Sequence, residues 1–112
     1  MEKIVEQGLL YDFYGELLTE HQKKIYEEAV YNDMSLSEIA DDIGISRQGV
    51  HDLIKRCDKI LHDYESKLHL VEKFTKIKQS VQEINQISEH AIAENSEIQK
   101  IKQLSNEILE EL

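Results

Sequence analysis

The apolar positions fall at spacings of three and four almost from end to end, so the pattern predicts helices and no strands. Val5, Leu9, Phe13 and Leu17 form an i, i+4 stripe, widened by Leu10 and Tyr14, which predicts a first helix over residues 2–18. Its aromatic residues, Tyr11, Phe13 and Tyr14, have helical spacing and read as core before they read as a base-stacking platform. Thr19 followed by Gln22 is a capping box, opening a second helix whose apolar face is Ile25, Tyr26, Ala29 and Val30. Glu20, Glu27 and Glu28 are assigned to its solvent side, with Lys23 and Lys24 as local ion-pair partners.

Residues 34–56, MSLSEIADDIGISRQGVHDLIKR, organise the rest. Ser35 and Glu38 make a second capping box, and Met34 with Ile39 a hydrophobic staple. Leu36, Ile39, Ala40 and Ile43 share one face. Gly44 ends this short helix where a left-handed residue is wanted. Ile45 and Ser46 repeat the staple and cap, and the helix that follows turns Val50, Leu53, Ile54 and Cys57 inward. Two short helices joined by a tight turn are a helix-turn-helix. Its second helix presents Arg47, Gln48, His51, Asp52, Lys55 and Lys59 outward. In this motif the second helix enters the major groove with its N-terminal residues toward the bases. Arg47, Gln48 and His51 are then the base readers, and Lys55, Arg56 and Lys59 the phosphate contacts that set register. The competing reading is a small helical core whose polar face is merely solvated or meets a protein.

No stop signal follows Arg56. Residues 50, 54, 57, 61, 64, 68 and 71 continue as a heptad seam, which either covers the domain's own first helix or pairs with another chain. Phe74, Ile77, Val81, Ile84, Ile87, Ala91 and Ile92 extend the stripe in a shifted phase. A turn is expected within residues 90–97, and then a final helix over 97–111 with Ile98, Ile101, Leu104, Ile108 and Leu112 on one face. The expected organisation is a helix-turn-helix domain over 1–67 and a helical arm over 68–112. The arm's stripes are too narrow to bury each other, so it is expected to dock on the domain or on a second copy, and the seam favours a homodimer.

Composition limits how such a protein grips its target. The 112 residues carry a net charge of −10, and Lys plus Arg number 13 against 23 Asp plus Glu. Nucleic-acid affinity comes from counterions released by clustered Lys and Arg, so the charge disfavours a general coating protein. The basic residues of the middle segment, Arg47, Lys55, Arg56, Lys59 and Lys67, do gather on and after the second helix of the motif, diluted by Asp52, Asp58 and Asp63. Binding should therefore be weak, salt-sensitive or partner-dependent. A single cysteine and no signal-peptide pattern agree with a cytoplasmic protein, and no apolar run approaches the ~20 residues of a membrane span. The absence of proline permits long helices.

Catalytic chemistry finds no support. Four glycines and no phosphate-loop or dinucleotide fingerprint leave no nucleotide site, so no cofactor is expected. His21, His51, His62, His69 and His90 lack the spacing and company of metal ligands. Cys57 lies on the apolar side of the seam and reads as a small buried hydrophobe.

The stretch LSEIADDIGISRQGVHDLIKR, residues 36–56, resembles the helix-turn-helix of region 4 of housekeeping sigma factors. Over roughly residues 8–76, and most clearly in LYDFYGELLT (10–19) and ISRQGVHDLIKR (45–56), the chain resembles the YlxM family of small helix-turn-helix proteins of Gram-positive bacteria. That resemblance implies an all-α, sigma region 4-like domain and a non-enzymatic regulatory role. It also implies an association with the signal recognition particle pathway, since the family's genes typically lie beside that of the particle's GTPase. DNA, the particle's RNA and the particle's protein are all candidate partners, and the strong acidity and Asp52 set this chain apart from a typical DNA reader.

Overall fold

In the computed structural model, which describes residues 2–91 and 96–112, the chain is helical throughout, with no strand among the described residues. The order is α1 (Lys3–Tyr14), a 3-10 turn (Gly15–Leu17), α2 (Glu20–Val30), α3 (Leu36–Ile43), α4 (Arg47–Leu68), α5 (Leu70–His90) and α6 (Ser96–Glu111). One compact unit runs to Val71 and a second starts at Glu72.

The caps of the first unit follow from short-range chemistry. Thr19 and Ser35 each accept from the backbone N–H three residues on, and Gln22 and Glu38 return the bond to complete both boxes. Ser46 accepts from Gly49 N at 3.0 Å. Gly44 takes φ 77°, so its N–H and that of Ile45 both close on Ala40 O, and the chain turns from α3 into α4.

The core has two lobes against one wall. Leu10, Tyr14, Leu18, Tyr26, Cys57 and Leu61 form the first, and Ile25, Ile39, Ala40 and Val50 the second. Leu53 and Ile54 of α4 touch both lobes. Of the two readings of the heptad seam, the packing agrees with the one in which it covers the domain's own helices. Val50, Cys57 and Leu61 are fully buried, and Ile54, Tyr64 and Val71 pack on the core, all against the chain's own helices. Leu68 stays exposed.

The first helix differs in phase from its expected stripe. Val5, Phe13 and Leu17 are exposed, and the buried row is Leu10, Tyr14 and Leu18. The helix also stops at Tyr14, not at residue 18. Tyrosine hydroxyls explain the rotation, because four tyrosines each donate to a carboxylate of another helix or its flank. Tyr14 donates to Glu65 at 2.6 Å, Tyr26 to Asp58 at 2.6 Å, Tyr31 to Asp12 at 2.7 Å, and Tyr11 to Glu27. Buried phenols need such partners. The acids that make the domain so negative thus double as acceptors between helices. Glu27, assigned to solvent, is one of them.

The helix α4 ends where no stop signal stands. His69 adopts φ 56° and caps α4 through its N–H to Glu65 O. The next two N–H groups are taken by side chains: Leu70 N donates to the Tyr14 hydroxyl at 3.1 Å and Val71 N to Glu65 Oε1 at 2.9 Å. These bonds replace the continuing ladder and restart the chain as α5.

In the second unit the described contact between α5 and α6 is small and polar. Ser105 is buried and donates to Asn85 Oδ1 at 3.0 Å, and Ser88 and Val81 are buried beside it in sequence phase. The aliphatic positions of the expected stripes remain open: Ile77, Ile84, Ile87, Ile101, Leu104 and Ile108 are all exposed. Of the turn expected within 90–97, residues 92–95 lie outside the described residues.

Candidate nucleic-acid interface

The reading face is built by α4, which the two core lobes hold from behind through Val50, Leu53, Ile54 and Cys57. That leaves Arg47, Gln48, His51, Asp52, Lys55, Arg56 and Lys59 exposed, so the structure brings all six expected contact residues onto one helix surface. They form two rows. Arg47, His51 and Lys55 follow one another at i, i+4 and therefore stack along one side. Gln48, Asp52, Arg56, Lys59 and Asp63 run beside them.

The two rows differ in how far their charges are already used. In the second, Gln48 Nε2 donates to Asp52 Oδ1 at 2.9 Å, and Lys59 Nζ to Asp63 Oδ2 at 2.9 Å. The Lys59 ammonium holds the Asp63 carboxyl below the usual carboxylate range. His51 Nδ1 lies 3.5 Å from Asp52 Oδ1. Among the described residues, by contrast, no side-chain hydrogen bond or ion pair engages Arg47, Lys55 or Arg56. Their cationic groups are open to solvent and to a polyanion. Arg47 is also the first residue of α4.

Sequence reasoning missed the wall opposite α4. Lys3 and Gln7 of α1 line a groove of about 220 Å³ with His51, Ile54, Lys55 and Asp58. The signal was absent because Lys3 is 52 positions from Lys55. Asp58, read as diluting the basic patch, instead accepts from Tyr26 and from both contacts of Gln7 Nε2, at 3.0 and 3.2 Å.

The remaining candidates for chemistry are structural. Cys57 is fully buried, and burial pushes its thiol up to about 11, so it is an inert core residue. His62 bridges Asp58 O and Glu6 Oε1. Among the described residues no three His, Cys, Asp or Glu side chains gather to hold a metal, and no helix is long and apolar enough to cross a membrane.

Comparison with known proteins agrees with this architecture. Residues 1–104 match the family model described as "Putative helix-turn-helix protein, YlxM / p13 like", UPF0122. A UPF0122 protein of Caldanaerobacter subterraneus is 47% identical over 70% of this chain and 67% of its own. One of Acetivibrio thermocellus is 40% identical over 98% of this chain and 99% of its own. One of Desulforamulus reducens is 40% identical over 98% and 96%. With nearly full-length relatives and a family model spanning almost all of it, the chain belongs to the UPF0122 family of helix-turn-helix proteins.

Proposed function

We propose that the chain is a non-enzymatic, cytoplasmic regulator that binds nucleic acid through the N-terminal half of α4. Arg47, Gln48 and His51 meet bases, and Lys55, Arg56 and Lys59 meet phosphates. One observation carries the reading: on a helix-turn-helix scaffold, Arg47, Lys55 and Arg56 stand exposed without an ion pair in a protein whose net charge is −10. The exposed aliphatic stripe of the arm supports a second copy as its partner. Two copies bring two reading helices to one site, and linked weak contacts offset the small charge of each. The resemblance to the YlxM family supports a target in the signal recognition particle pathway.

The acidity of the whole chain favours one alternative, an adaptor whose scaffold meets the particle's basic protein. A titration at two salt concentrations against the particle's RNA, its protein and random duplex DNA separates the readings. Nucleic-acid binding that falls with salt and is lost in Arg47→Ala/Lys55→Ala supports the reading face. Binding to the protein alone, unchanged in the double variant, removes it.

A further inference from the structure

The groove between α1 and α4 has the composition of an anion seat. Its two walls carry Lys3 and Lys55, with His51 between them in the row that starts at Arg47. Among the described residues neither lysine has a hydrogen bond or ion pair. Asp58 in the groove, and Glu6 and Asp52 on the same two helices, make other contacts. Asp58 accepts from Tyr26 Oη at 2.6 Å and from Gln7 Nε2, and forms no ion pair with either lysine. Glu6 is drawn to His62 Nε2 at 2.7 Å. Asp52 contacts His51, at 3.5 Å, and accepts from Gln48. Two ammonium groups, neither of them in an ion pair, therefore face one groove of about 220 Å³ against the single carboxylate of Asp58, which keeps its charge because Tyr26 and Gln7 are neutral donors. With water occupying about 30 Å³ per molecule, the space seats a phosphate group and several waters.

We propose that this groove binds one backbone phosphodiester of the nucleic acid read by α4, clamped between Lys3 and Lys55. The inference rests on the proposed function and extends it: the interface is composite, and α1 supplies a phosphate contact that the helix-turn-helix alone lacks. The row Arg47, His51, Lys55 leads from the turn of the motif to the groove. A strand whose bases meet Arg47 and Gln48 carries its phosphate chain along that row to Lys3. Lysine suits the role as a compact point charge on a long stem, reaching a phosphate without fixed geometry.

The test uses the full chain, with random-sequence duplex DNA and duplex RNA as separate probes, each titrated over a salt series. Lys3→Ala is compared with Lys3→Arg, with Lys55→Ala, with the Lys3→Ala/Lys55→Ala pair, and with Lys24→Ala as an exposed lysine on α2. Lys3→Ala should weaken binding roughly five- to tenfold at low salt, and the Lys3→Ala/Lys55→Ala pair, which gives up the phosphate altogether, should flatten the slope of log K against log salt by about 0.9. Lys3→Arg should retain both, and Lys24→Ala should change neither. The pair should lose less than the product of the single losses, because both lysines hold one phosphate. The probe that shows this pattern identifies the phosphate as that of DNA or RNA. Wild-type affinity in Lys3→Ala, with Arg47→Ala still impairing binding, overturns the groove and leaves the α4 reading standing. No binding of either duplex by the wild-type chain overturns both. Matching urea transitions for Lys3→Ala and the wild type show that the loss is not one of folding.

Discussion

Gln48 and Asp52 are tied together on the reading face, the amide Nε2 donating to the carboxylate Oδ1 at 2.9 Å. The bond folds the amide proposed to read bases back onto its own helix, and it sets a negative charge among the cations proposed to meet phosphates. On that proposal Asp52 is an internal brake on binding. Asp52→Asn removes the charge and leaves an amide to hold Gln48, and Asp52→Ala frees Gln48 as well. Affinity for nucleic acid at fixed salt should rise several-fold in the order wild type, Asn, Ala, because each step removes repulsion or an internal competitor. The cost to the helix is one i, i+4 pair, about 0.2–0.5 kcal/mol. Fluorescence anisotropy on a labelled duplex measures the order. Equal affinities in all three would show that the target never reaches the second turn of α4.

Tyr14 ties three segments together. Its hydroxyl donates to Glu65 on α4 and accepts from Leu70 N at the start of α5. Burial first, and the bond to Glu65 next, push its phenol pKa above the ordinary value, so it stays protonated and donating at any physiological pH. Tyr14→Phe keeps the ring, including its stacking on Tyr64 at 6.0 Å. It leaves Leu70 N and Glu65 each short of a partner. The expected loss is about 1–3 kcal/mol, read as a lower urea midpoint at unchanged m-value. A midpoint equal to the wild type's would mean that water replaces the hydroxyl without cost.

Local signals were legible and distant ones were not. Ser35, Glu38, Gly44 and Ser46 act on backbone groups three or four residues away, so their spacing alone places α3, the turn and the start of α4. The six contact residues follow from that placement. The end of α4 is set by Tyr14, whose bond to Leu70 spans 56 positions, and no residue near His69 announces it. The rotation of α1 has the same origin. Hydrophobicity alone cannot tell Leu9 from Leu10, and the partners of Tyr11 and Tyr14 decide it. In the arm, Ser105 takes the buried position beside Asn85, so the apolar stripe predicted the helix and not its contact. Lys3 was invisible as a site residue because only the fold sets it across from Lys55.

Gly15 is required by a ring. A Cβ at this position would lie 2.8 Å from Cε2 of Tyr11, and that ring cannot easily move. It stacks on Tyr26 at 5.7 Å, meets Tyr31 edge-on at 5.7 Å and is bonded to Glu27. Gly15→Ala should therefore destabilise the domain by about 1–3 kcal/mol, the usual cost of overpacking. In a Tyr11→Ala background the clash is gone, and the same change should be neutral or stabilising by up to about 1 kcal/mol through the unfolded chain. The double-mutant cycle in urea isolates the ring contact. Additive effects would place the cost of alanine elsewhere.

His62 makes the attachment of α1 to α4 dependent on pH. Its Nδ1 faces Asp58 O at 2.7 Å and its Nε2 faces Glu6 Oε1 at 2.7 Å. Both partners are acceptors, so only the imidazolium satisfies both contacts. The backbone carbonyl first, and the Glu6 carboxylate next, raise its pKa above the ordinary imidazole value, against a smaller opposing effect of burial. A pKa raised in the folded state means that folding favours the proton. The stabilisation is fully present below the unfolded value of about 6.5, and it is lost as pH rises through the folded one. The melting temperature of the wild type should thus decline, relative to His62→Gln, from about pH 6.5 upward. Glu6→Gln should shrink the effect without abolishing it, because Asp58 O remains. The side chains of His62 and Glu6 are about half exposed, so added salt should reduce the Glu6 share and leave the carbonyl's. Thermal melts of the three proteins across that range, at low and high salt, check each part. A pH-independent difference between wild type and His62→Gln would mean that the ring keeps one protonation state across the range.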